Sequence, residues 1–123
     1  MDYSYQEKIS MMRILMDIIH ADGIIDSRET FFFNQLKGVF NLDECDHDNI
    51  KKKNSLLALV HIKRMDRDKQ LFFVDLMGKM IVVDEDINVN ELAIFNVVCE
   101  FCNIKQSFED TIGSDAIDLY SKS

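Results

Sequence analysis

A single shift of 62 residues lays this chain of 123 over itself. It sets Asp22 on Asp84, Ile25 on Ile87, Asp26 on Asn88, Glu29 on Glu91, Phe33 on Phe95, Asn34 on Asn96 and Asn41 on Asn103. Apolar character persists at Ile18 and Met80, Ile19 and Ile81, Phe32 and Ile94, Leu36 and Val98, Val39 and Phe101, and Leu42 and Ile104. These are the positions a helical hairpin buries. Each half reads as a helix, a short acidic turn and a capped helix. One hairpin cannot cover its own apolar face, so the two are expected to pack on each other about a pseudo-two-fold axis, with the central and C-terminal segments covering the edges.

The period of the apolar residues supports this reading. From Tyr5 to about Ala21, the residues Tyr5, Ile9, Met12, Leu15, Met16, Ile18 and Ile19 recur at helical spacing, and Lys8, Arg13, Asp17 and His20 fall on the other side. Asp22-Gly23 ends that helix, and Asp26-Ser27-Arg28-Glu29 opens the next with a cap residue and an acid three positions on. This second helix is expected to run to about Phe40. After an acidic loop over Asp43 to Asp48, a weak helical stretch holds Lys51 to Lys53, and Ser55 is the expected cap of a clearer helix through Leu56, Leu57, Leu59, Val60 and Ile62. Asp66 caps a long helix ending near Val83, and Asn88 with Glu91 repeats the cap-and-acid pattern before a helix through Ile94, Phe95, Val98 and Phe101. The tail from Ser107 to about Tyr120 is broken by Gly113 and reads as one bent helix or two short ones. The expectation is an all-α bundle: repeat one over about 5–42, connecting helices over about 48–65, repeat two over about 66–104 and the tail over about 107–121.

Composition bounds the function. Hydrophobic residues make up 47% and charged residues 29%, with no proline and four glycines, which excludes disorder and disfavours a turn-rich β fold. A formal charge of -8 argues against affinity for nucleic acid, since both partners would be negative. Three cysteines are an odd count and no disulfide framework, which points to a reducing, cytoplasmic compartment. Charged residues interrupt the apolar N-terminal run well short of the roughly 20 apolar residues a membrane span needs.

Two copies of a helix ending in an Asp-initiated turn, followed by Ile-Asp-x-x-Glu at the start of the next helix, resemble the TerB-like family, named for tellurite-resistance proteins. The first copy is Ala21-Asp22-Gly23-Ile24-Ile25-Asp26-Ser27-Arg28-Glu29, and the second is Val83-Asp84-Glu85-Asp86-Ile87-Asn88-Val89-Asn90-Glu91. The likeness spans about Ile9 to Ile104. The second copy departs from the pattern at Glu85, where the family usually has glycine, and at Asn88, where an acid is common. The resemblance implies an all-helical cytoplasmic domain, stress-associated in some members, whose acidic surface is proposed to bind divalent cations. The family also occurs as a module of a membrane-anchored J-domain co-chaperone, but this chain has no His-Pro-Asp motif.

Asp22, Asp26 and Glu29 span one turn and one helix start, so their carboxylates can converge on a hard cation such as calcium, magnesium, manganese or zinc. Asp84, Asn88 and Glu91 can do the same in the second copy, and His20 stands near enough to the first turn to contribute. Equally, Asp26 and Asn88 can be plain N-caps, with Glu29 and Glu91 closing capping boxes worth about 1 kcal/mol each. Asp84-Glu85-Asp86 is no EF-hand, since Val89 stands at the required glycine and Phe95 at the bidentate glutamate. Cys99 and Cys102 form a CxxC inside a helix, with no second pair and no histidines at ligand spacing, which reads as core packing. There is no phosphate loop, nucleophile elbow or Ser/His/Asp pattern, so the expectation is a protein without enzymatic activity.

Charge is uneven along the chain. Residues 51–69 hold seven bases and two acids, +5 in all, which leaves -13 on the rest. A stripe of Lys51, Lys52, Lys53, Lys63, Arg64, Arg67 and Lys69 can meet an acidic partner or, more weakly, anionic lipid. Of Phe31-Phe32-Phe33, Phe31 aligns with the small Ala93 and is left over for a second contact. It either fills a gap under the C-terminal tail or stands exposed beside Met11 or Met12 as a patch for a protein partner or for self-association. Two functional readings follow: a TerB-like cation-binding module, and an interaction scaffold that uses the basic stripe and exposed aromatics.

Overall fold

The computed structural model describes residues 2–83, 85 and 87–111. Six helices follow one another, with no strand among the described residues: α1 (Tyr5–His20), α2 (Ser27–Val39), α3 (Glu44–Lys52), α4 (Ser55–Lys63), α5 (Arg67–Val82) and α6 (Val89–Phe101). A further turn of helix opens at 108–111. Its first residues lock reciprocally, the Asp110 N–H donating to Ser107 Oγ (3.1 Å) and the Ser107 N–H to Asp110 Oδ2 (3.3 Å). The rest of the tail, including the Gly113 break, lies outside the described residues.

Local features recur at the 62-residue shift. The spans of α1 and α5 correspond, as do those of α2 and α6. Gly23 and Glu85 both take positive φ (78° and 63°), as do Asn41 and Asn103 (58° and 57°). Leu42 N–H to Lys37 C=O and Ile104 N–H to Cys99 C=O are both 2.8 Å, closing α2 and α6 with the same wide turn. The connecting helices have no counterparts, and they pack on α1.

α1 is the central element and packs against all five other helices. It therefore buries more than one face: Met11, Met12, Leu15 and Ile18 are fully enclosed, and Ile14 and Ile19 lie on other sides of the same core. This burial removes Met11 and Met12 from any surface patch with Phe31. The polar side of α1 does not simply face water either. Lys8 Nζ donates to the Phe40 carbonyl (3.2 Å), and Arg13 and Asp17 reach α3 and α4.

Two expected starts are revised, and one expected cap stands in place without its bond. Residues 44–48 are helix and not loop, because Asp43 and Asp46 form a reciprocal capping box (2.8 and 2.9 Å) that starts α3 early. Asn54, not Ser55, caps α4, accepting from the Leu56 and Leu57 N–H groups, because the Ser55 hydroxyl is drawn to Asp17 (2.7 Å). Asp66 stands at the cap position of α5 without a side-chain cap bond.

The two turns offer a reciprocal test. A left-handed φ costs a residue with a Cβ roughly 1–2 kcal/mol, and glycine escapes most of that cost. Glu85→Gly is expected to stabilise by about 0.5–1 kcal/mol, and Gly23→Ala to destabilise by about 1 kcal/mol although nothing lies within 4 Å of an added Cβ. Urea midpoints moving in opposite directions would bear this out.

Glu7 links the N-terminus to α5. Burial opposes its ionisation, but the Ser4 N–H (2.8 Å) and Lys69 Nζ (3.1 Å) outweigh that and hold its pKa below the ordinary 4.5. A depressed folded-state pKa contributes stability that is whole above the unfolded value and lost as pH falls through the folded one. Stability should therefore fall below about pH 4.5 in the wild type, and a Glu7→Gln variant should be less stable near neutrality with a shallower acid slope in urea titrations from pH 7 to 3.

Candidate functional site

Asp22 and Asp26 are already occupied by backbone and by a cation. Asp22 Oδ1 accepts from the Ile24 N–H (2.9 Å). Asp26 Oδ1 accepts from the Arg28 N–H (2.7 Å) and Nε (3.2 Å), and Oδ2 accepts from Nη2 (3.2 Å). The hydrogen bonds from Arg28 hold the Asp26 carboxyl below its ordinary value. Asn88 Oδ1 caps α6 through the N–H groups of Asn90 (2.7 Å) and Glu91 (3.4 Å).

Glu29 and Glu91 depart from expectation. Each is only 1% exposed, turned into the interior, and among the described residues neither reaches back to its cap residue, so no capping box forms at α2 or α6. The reason is helical geometry. Glu29 lies one turn before Phe33 on the face that α2 buries, and Glu91 stands in the same relation to Phe95. A hard cation wants six or more oxygens around one point. The first turn instead sends Glu29 inward and leaves Asp26 bound to a guanidinium. Among the described residues no group of three His, Cys, Asp or Glu side chains is placed to hold a metal. Asp84 and Asp86 lie outside the described residues.

The bases of residues 51–69 do not form one free row. Lys51 and Lys52 are exposed on the last turn of α3, and Arg64 is exposed at the end of α4. Lys53 Nζ donates to Gln6 Oε1 (3.0 Å), Lys69 pairs with Glu7, and Arg67 Nη1 donates to the Cys102 carbonyl (3.2 Å). Lys63 Nζ sits 4.6 Å above the centre of the Phe101 ring. Phe31 is 66% exposed on α2, and the tail expected to cover it lies outside the described residues.

One further feature is not visible in residue patterns. A groove of about 360 Å³ runs between α4 and α6 over α1, lined by Leu59, Ile14, Ala93, Ile94, Val97 and Val98, with Asp17 and Ser55 at one end. On α6 the side facing it continues through Phe101 at helical spacing. On α4, only Ala58 and Ile62 are buried, and Leu56 and Leu57 stand well out in solvent. A signal was present in the sequence: Ser55–Lys63 is apolar on every side, which ordinarily marks a fully enclosed helix, yet lysines flank it closely. At the polar end of the groove, Arg13 Nη1 donates to the Lys51 carbonyl (2.7 Å), Arg13 Nε to Ser55 Oγ (3.2 Å), and Arg13 Nη2 pairs with Asp17 (3.1 Å).

The remaining reactive types are quiet. Cys99 and Cys102 are buried, as the core reading expects, and burial, reinforced by Cys102, pushes the Cys99 thiol up to about 11. His47 Nδ1 lies 3.1 Å from Lys37 Nζ, and burial together with Lys37 and Lys51 holds its pKa below 6.5. It accepts from the ammonium as a neutral ring.

No family model matches the chain, and no curated protein does either. Among solved structures, that of PG1108, a protein of unknown function from Porphyromonas gingivalis W83, is similar with a TM-score of 0.69 at 22% identity, over 89% of this chain and 94% of its own. At that identity the likeness concerns the fold, and it places the chain among all-helical bundles of this architecture.

Proposed function

We propose that this chain is a non-enzymatic recognition module of the TerB-like kind that receives a helix of a partner protein in the groove between α4 and α6. The observation that carries this reading is the apolar surface around that groove: Leu56 is 73% exposed and Val97 51% exposed, one on each bordering helix. Exposed apolar surface gathered beside a concave apolar floor is the usual mark of a partner site, whereas scattered single apolar residues are not. The cation-binding alternative, led by Asp22, Asp26 and Glu29, is less well supported, since those side chains diverge and two of them serve backbone groups.

The test is a selection from a display library of helix-forming peptides of about 20 residues, followed by binding assays on Val97→Glu. Binders that lose at least about tenfold on Val97→Glu, with unchanged far-UV circular dichroism, support the reading, because a charge at the centre of an apolar contact is costly. Binders indifferent to Val97→Glu would refute it.

A further inference from the structure

We infer that a second site, independent of the groove between α4 and α6, binds a small organic carboxylate in a pocket of about 230 Å³ between the end of α1, α2 and α3. Its floor is apolar: Met16, Ile19 and Phe33 line it and are each less than a tenth exposed, and Ile25 of the first turn stands beside them. The remaining lining is basic or neutral and polar, from His20, Thr30, Asn34, His47 and Lys51, and among the described residues no carboxylate lines it. His20, Asn34 and Lys51 are exposed, so the polar groups stand at the solvent side of the apolar floor. That arrangement suits an apolar body carrying one anionic group.

The charge at the pocket is positive in a chain whose net charge is -8. Among the described residues Lys51 pairs with no acid, although Glu44 and Asp48 stand on the same helix. Lys37 Nζ, 3.1 Å from His47 Nδ1, brings a second cation to the histidine. Because Nδ1 accepts from that ammonium, the neutral ring keeps its proton on Nε2 and is a hydrogen-bond donor there. Burial and then Lys37 and Lys51 hold the His47 pKa below 6.5, and Glu44 and Asp48 act in the other direction less strongly. His20, the last residue of α1, is the other titratable group in the lining with Lys51.

The second copy of the repeat supplies the contrast. At the 62-residue shift Phe33 falls on Phe95, and each ring has an edge-on neighbour: His47 at 6.1 Å and 88° in the first copy, Phe108 at 5.6 Å and 89° in the second. His20 and Thr30 fall on Val82 and Leu92. The second copy thus achieves the same packing with apolar residues, so packing alone does not call for the polar ones in the first. Recognition of a ligand does. Inorganic phosphate would leave the apolar floor uncovered, and an amine would meet Lys51 with like charge.

The experiment titrates the full chain at pH 7 with hexanoate, acetate, hexylamine and inorganic phosphate up to about 10 mM, read by the NMR resonances of the His20 and His47 rings and of the backbone amides. Hexanoate is expected to shift both rings saturably and to bind at least about tenfold more tightly than acetate, since its additional methylenes cover the apolar floor. Hexylamine and phosphate should leave the rings unmoved. Lys51→Glu should weaken hexanoate at least about tenfold with unchanged far-UV circular dichroism. Should that variant disturb the fold, Lys51→Met, which removes the charge and keeps the stem, serves for the same comparison. Bound hexanoate should also raise the His47 pKa, because a carboxylate beside the ring offsets Lys37 and Lys51, so affinity should grow as the pH falls from 7 to 6. Four results would overturn the inference. One is the lack of a saturable shift with hexanoate. A second is hexylamine binding as tightly as hexanoate, which would make the pocket a plain apolar hole. A third is acetate or phosphate doing so, which would reduce it to surface charge. The last is a set of hexanoate shifts centred on Val97 and indifferent to the Lys51 variants, which would put the ligand in the other groove.

Discussion

Phe95→Ala is expected to lower the unfolding free energy by about 3–5 kcal/mol, the range for removing a buried phenylalanine from a packed core. Phe95 is fully enclosed, and its ring meets Phe108 edge-on, with centroids 5.6 Å apart at 89°. The substitution opens a cavity between α6 and the start of the C-terminal segment, and Phe108 loses the aromatic neighbour that helps bury it. Against a total stability of roughly 5–15 kcal/mol, this is a large fraction, and the melting temperature should drop by on the order of 15 °C. Phe31→Ala supplies the control. That ring is exposed, so its loss should change stability by less than about 0.5 kcal/mol. Urea denaturation of the two variants settles the comparison, and a loss below about 1 kcal/mol for Phe95→Ala would mean that the pocket refills from its surroundings.

Arg13→Ala is the second large effect, at about 2–3 kcal/mol. Arg13 donates to a backbone carbonyl of α3, to the Ser55 hydroxyl and to Asp17, and Ser55 in turn donates to Asp17. Its i,i+4 contact with Asp17, both side chains being 24% exposed, accounts for only a few tenths of that figure. Most of the loss comes from the bonds to α3 and α4, which hold three helices in register and leave polar groups short of a partner when the guanidinium goes. Arg13→Lys should recover less than half, since a single ammonium cannot replace a planar fork with several donors. In urea denaturation, a total loss below about 0.5 kcal/mol for Arg13→Ala would show that the network is a surface ion pair and nothing more.

Much of the helical framework was legible in the sequence because its causes are local. The caps at Asp26 and Asn88 act over three or four residues and appear where the residue pattern places them, and Ile18, Ile19, Leu36, Met80, Ile81 and Val98 are buried as that pattern expects. Val39 and Phe101, expected in the interior, instead stand exposed on the last turns of α2 and α6 (71% and 39%). Within Phe31-Phe32-Phe33, Phe33, the position opposite Phe95, is buried and Phe31, opposite small Ala93, is exposed. Local logic misled where two local solutions were equally good. Asn54 and Ser55 are both competent caps, and Asp17, 38 residues away from Ser55, decided between them. Glu29 and Glu91 stand at the right spacing for capping boxes, but that spacing also puts them on the buried face of their helices, and burial prevailed.

The sequence by itself therefore determined five of the six helices, where most of those begin and end, and that the class is all-α, while the first half of α3 passed for a loop. Tertiary structure alone decided what surface the molecule presents. α4 is apolar on every side and has no face that periodicity can assign to the interior, so its exposed side is set by which helices arrive beside it. Those are α1, bringing Ile14, and α6, bringing Ile94 and Val97, from some 40 residues away on either side. Caps and periods are short-range interactions that each segment carries with it. A groove is a relation among side chains distant in sequence, and it comes into being only when they are packed together.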